Sequence, residues 1–83
     1  MDQKYHINIT VSYQDLPGKD LDLRVSTHQT VKSFIMDLDQ TLHIQRTQAD
    51  IYQLKVVNKG LLLAENQKIY RYPVTTGDHI IIY

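Results

Sequence analysis

The sequence predicts an α+β fold: a mixed sheet of four to five strands with one helix across one face. Three observations predict it. Residues 30–42 are the only stretch with a sustained helical period, residues 5–13 and 20–25 alternate strictly between apolar and polar, and the β-branched run HIIIY occupies residues 79–83.

In the helix segment, Val31, Phe34, Ile35, Leu38 and Leu42 fall at i, i+3, i+4, i+7 and i+11. At about 3.6 residues per turn this collects them on one stripe. Lys32, Ser33, Asp37, Asp39 and Gln40 are assigned to the water side. Thr30 is suited to the N-cap, where its hydroxyl accepts an orphan first-turn N–H, although Ser33 stands where a capping box would have Glu or Gln.

The strands follow in order. Tyr5, Ile7, Ile9, Val11 and Tyr13 share one face of the first, with His6, Asn8, Thr10 and Ser12 on the other. Residues 14–19, QDLPGK, hold Pro17-Gly18 and predict the hairpin turn. Leu21, Leu23 and Val25 then face the core, while Asp20, Asp22 and Arg24 face water. After the helix, residues 43–50 read as a connection and residues 51–58 as a third strand, with Leu54 and Val56 inward and Lys55 and Val57 outward. Lys59-Gly60 is a turn, residues 61–63 a short fourth strand, and residues 69–72 a brief 3₁₀ or irregular turn before Pro73. TTGD, residues 75–78, turns into a last strand that belongs in the middle of the sheet, with Ile80 and Ile82 inward.

Composition narrows the function classes. A chain of 83 residues reads as a single domain, 1–83, close to the size below which cores need staples. The absence of cysteine excludes disulfides, thiolate metal sites and a Cys nucleophile. Nine Lys plus Arg balance nine Asp plus Glu, so the field on which nonspecific nucleic-acid binding depends is lacking. No run approaches the roughly 18 apolar residues of a membrane span. A cytoplasmic protein without membrane insertion is expected.

The second half of the chain, from Val56 through KGLLLAENQKIYRYPVTTGDHIII, resembles the ubiquitin-like β-grasp pattern. The resemblance implies that Tyr72 is the structural tyrosine whose hydroxyl bonds back to the backbone near residues 64–66. DLDLRV, the VKSFIMDL helix and LKVVNKGLLLAENQKIYRYPVTTGD are similar to the YukD/EsaB family, ubiquitin-like proteins of the type VII secretion systems of Gram-positive bacteria. That resemblance implies an accessory of the export machinery, with protein partners, no cofactor and no catalysis. The alternative is a ubiquitin-like modifier or sulfur carrier. It is disfavoured because the sequence ends at Tyr83 without the terminal Gly-Gly that such chemistry uses. A nucleic-acid-binding module is a weaker third reading.

Candidate sites are few. His6 and His79 are expected to be neighbours on the outer face, but two ligands do not make a structural zinc site. Neither Ser26 nor Ser33 lies in a nucleophile elbow, and the three glycines are scattered singly, so no phosphate loop exists. Tyr5, Tyr13 and Tyr72 are assigned to the core. The remaining candidate is a patch on the helix-free side of the sheet, formed by Leu16, Val57, Ile81 and Tyr83 with Lys55 and Lys59 as its polar rim. It is expected to bind a partner protein or a second copy of this chain.

Overall fold

In the computed structural model, which describes residues 5–46 and 51–83, every predicted strand and the helix form. β1 (His6–Tyr13) and β2 (Leu16–Ser26) make an antiparallel hairpin, α1 (Val31–Leu42) follows, and β3 (Leu54–Val56), β4 (Leu61–Leu63) and β5 (His79–Ile82) complete one sheet. The strand order is β2-β1-β5-β3-β4. β5 runs parallel to β1 and antiparallel to β3, so the last strand is the middle one, as its β-branched composition requires.

The hairpin turns earlier than the Pro-Gly pair predicts. Gln14 and Asp15 make the reversal, and Tyr13 already pairs with Leu16. The register slips between the pairs Val11–Leu21 and Tyr13–Leu16, which places Pro17 and Gly18 in an irregularity inside β2. There Gly18 takes φ +84°. Pro without an N–H and Gly with a positive φ fit a bulge on an edge strand as well as they fit a turn.

Thr30 caps α1 as expected: its Oγ1 accepts the Ser33 N–H at 3.1 Å. Two further first-turn amides, of Val31 and Lys32, donate to the carbonyls of Gln67 and Glu65, each at 2.9 Å. The loop after β4 thus completes the cap. At the other end His43 enters the left-handed region at φ 59°, its N–H donating to Gln40 O while Ile44 N–H donates to Asp39 O at 2.8 Å. This is the Schellman pattern, formed without glycine.

Val31, Phe34, Ile35 and Leu38 are buried against Ile9, Val11, Leu54, Val56, Ile80 and Ile82. Two assignments within α1 change. Leu42 is 36% exposed, because the last helical residue borders a surface cleft with Tyr13, Leu16, Lys19 and Leu21. Asp39, read as water-facing, is buried, for reasons that belong to its partners.

The third strand is shorter than predicted. Residues 51–53 are not strand and Ile51 is exposed, while Val57–Lys59 forms a 3₁₀ turn closed by Gly60 in the left-handed region. Part of the predicted connection, residues 47–50, lies outside the described residues. Ile69–Arg71 is the expected 3₁₀ turn, and the Tyr72 hydroxyl accepts the Ala64 N–H at 3.1 Å, the bond implied by the resemblance. Tyr5 departs from its core assignment: it is exposed, its ring edge against His28.

Candidate functional site

With α1 covering one face, the side chains that alternate outward form the other. Register fixes their rows. Ser12 on β1 lies opposite Ile81 on β5, Ile81 opposite Lys55 on β3, and Lys55 opposite Leu62 on β4. Leu62 is 55% exposed and Val57, just past the end of β3, 41%. The apolar half of the face is therefore Ile81 and Leu62 around the Lys55 stem, with Val57 exposed in the 3₁₀ turn that follows β3. Leu62 went unnoticed in the sequence because the run LLL has no period to say which of its members turns outward.

The six residues expected in the patch are not all brought together. Ile81 and Lys55 are direct neighbours, with Val57 beyond the strand end. Leu16 pairs with inward-facing Tyr13 and so lies toward the helix side. It lines a cleft of about 250 Å³ with Tyr13, Asp15, Ile44, Arg46 and Tyr83. Lys59 is engaged elsewhere: its ammonium pairs with Asp78 at 2.9 Å and donates to Thr75 Oγ1 and the Pro73 carbonyl.

Asp78 anchors this last cluster. Burial alone would raise its pKa, but hydrogen bonds from the Asn58 amide and the Thr75 N–H, with Lys59 beside it, hold it below its ordinary value. Asn58 in turn accepts the His79 N–H at 3.0 Å, so the cluster fixes the entry to β5.

The polar half of the outer face carries two hydroxyl–carboxylate pairs, Thr10 to Asp22 at 2.8 Å and Ser12 to Asp20 at 2.7 Å. His79 Nε2 is also 2.8 Å from Ser12 Oγ. An Asp, a Ser and a His thus meet, but the protons run the wrong way for a nucleophile. The carboxylate can only accept, so the single hydroxyl proton is directed at Asp20, and His79 must donate its Nε2–H to Ser12. A histidine donating to the serine cannot take that serine's proton. His6 pairs with Ser26 and His79 with Thr10, four positions apart along β1, so the two histidines are not adjacent ligands. Among the described residues no three His, Cys, Asp or Glu side chains gather to hold a metal ion.

A second polar constellation joins the end of α1 to the sheet. Asp39 accepts the Tyr13 hydroxyl at 2.6 Å and pairs with the Arg46 guanidinium, whose Nη1 reaches the Tyr83 main-chain oxygen at 2.9 Å. The Tyr52 ring lies 5.2 Å from the same guanidinium. Burial, then the bond to Asp39 and its charge, push the Tyr13 phenol well above its usual value, against the pull of Arg46. For Arg46 burial acts to lower the pKa, and Asp39 reverses the sign. This is a structural clasp: among the described residues no buried side-chain nitrogen or oxygen lacks a hydrogen-bond partner, those of this cluster included.

The face that α1 leaves open thus presents apolar side chains to solvent. The sequence matches the family described as WXG100 protein secretion system (Wss), protein YukD, over residues 6–82. The chain belongs to the YukD family. This YukD-family chain is a ubiquitin-like protein associated with type VII secretion. No curated protein matches it. Among solved structures it is similar to one described as molecular mimicry of SUMO, at 18% identity and TM-score 0.74, covering 95% of this chain and 91% of that one. It is also similar to the ubiquitin of Caldiarchaeum subterraneum, at 21% identity and TM-score 0.68, covering 93% and 90%. A third is the ubiquitin-like domain of an Arabidopsis thaliana protein, at 26% identity and TM-score 0.62, covering 94% and 76%. These likenesses establish the β-grasp fold of the YukD-family chain. No helix among its described residues is long and apolar enough to cross a membrane.

Proposed function

We propose that the chain is a non-catalytic, cytoplasmic accessory of a type VII secretion apparatus, a single ubiquitin-like domain that recognises a protein of that machinery through the outer face of its sheet. Family membership supplies the setting. The observation that carries the mode of action is the row Ile81–Lys55–Leu62, with Val57 at its end: apolar side chains on the sheet face that the helix leaves open. Lys55 contributes polar register beside them, and the Asp20 and Asp22 carboxylates bound the face on the β2 side. Leu16 lies toward the helix side, where it borders Leu42, and the Lys59 ammonium is taken up by Asp78.

The role is tested in cells that carry the secretion system. Deleting the chain is expected to reduce export of WXG100 proteins into the medium to background, and a plasmid copy is expected to restore it. Undiminished export without the chain contradicts the proposal.

A further inference from the structure

A second surface is built from side chains that the proposed function does not use. His28 lies between two tyrosines, 4.3 Å edge-on from the Tyr5 ring and 5.1 Å from that of Tyr70, and the Arg71 guanidinium is 5.8 Å from the Tyr70 ring. Tyr70 is half exposed. Three separate segments contribute, and the main chain stitches them together through one residue: Thr27 N–H donates to Tyr5 O at 2.8 Å, and Tyr70 N–H donates to Thr27 O at 2.9 Å. The backbone segments that carry these side chains are therefore joined before any ligand arrives, which lowers the ordering cost of binding.

Charge indicates what the ligand is. Residues 26–30 and 68–72 contain no Asp or Glu, and Lys68 and Arg71 give them two fixed positive charges. The neighbouring helix N-terminus does not add an anion site, because its first amides are already taken by Thr30, Gln67 and Glu65. The attraction must come from the side chains. Tyr and Arg on a preorganised, cationic surface are the residue types that anchor protein interfaces.

We propose that the Tyr5–His28–Tyr70–Arg71 surface binds an acidic polypeptide segment of a partner protein, with carboxylates on Arg71 and Lys68 and an apolar side chain on the Tyr70 ring. A polypeptide fits better than a nucleic acid. The His28 ring packs against both tyrosines, which occupies ring surface that bases would stack on, and the chain has no net charge to attract a polyanion.

The test is amide-resolved NMR titration of the full chain with a peptide of mixed Asp, Glu and Leu, beside a peptide with Lys in place of each acid. Shifts are expected at residues 27–30 and 69–71, weakening with added salt. Arg71→Glu is expected to weaken the acidic peptide at least about tenfold and to create binding of the basic one, Arg71→Gln to fall between, and Tyr70→Ala to weaken binding with an unchanged urea midpoint. The proposal is overturned by absent binding, by shifts confined to the Ile81–Leu62 face, or by charge reversal without effect. Equal competition from single-stranded DNA or from phosphatidylglycerol vesicles also overturns it, since that is bulk electrostatics.

Discussion

Asp39 illustrates what a carboxylate needs when a helix carries it out of water. Its two oxygens are taken up by the Tyr13 hydroxyl and the Arg46 guanidinium, so the charge is buried but compensated. Removing one partner exposes the cost. Arg46→Ala leaves a buried carboxylate with a phenol alone and is expected to destabilise the fold by about 3 kcal/mol, read as a lower urea midpoint. A midpoint equal to the parent's contradicts the clasp. The same cluster sets an alkaline limit. Tyr13 ionises near its ordinary value of 10.0 in the unfolded chain but only well above it in the folded one, so the unfolded state releases the proton first. The stabilisation is complete below about pH 10 and is lost as pH rises beyond that. Phenolate absorbance is therefore expected to show one of the six tyrosines ionising only on unfolding, and Tyr13→Phe to remove that step. Six tyrosines titrating together in the folded protein contradict it. None of this was legible in the sequence. A charged residue beside an apolar stripe reads as solvated, and the partners that bury Asp39 lie 26 and 7 positions away.

At the scale of elements, the helix stripe tests how far periodicity carries. Leu38 and Leu42 occupy equivalent places in the pattern, yet Leu38 is 9% exposed and Leu42 36%. Leu38→Asp is expected to unfold the protein, since an unpaired charge would enter the core, whereas Leu42→Asp is expected to cost under about 1 kcal/mol. Circular dichroism melts distinguish the two, and equal losses would mean that the stripe is buried along its full length. The sequence was most informative where a repeat spans a whole element, as in β1, α1 and β5. It was least so where a bend is set by tertiary fit. The Pro17-Gly18 pair marks a bulge instead of the turn, and β3 stops at Val56 because Val57–Lys59 coils to bring Lys59 onto Asp78. The helix end at His43 carried no glycine to announce it.

For the whole molecule, the central position of β5 divides the protein into a packed side and a presented side. Ile80 and Ile82 are buried beneath α1, and Ile81 between them faces outward into the row with Lys55 and Leu62. The family and the fold were legible from the order and phrasing of the segments. The composition of the presented face was legible only in part, because register between strands distant in sequence decides which outward residues become neighbours. The most direct test is the double variant Val57→Ser/Ile81→Ser, assayed for WXG100 export in cells lacking the parent chain and for its urea midpoint when purified. Loss of export with a midpoint near the parent's is predicted; normal export by the folded variant would contradict the assignment of this face as the working surface.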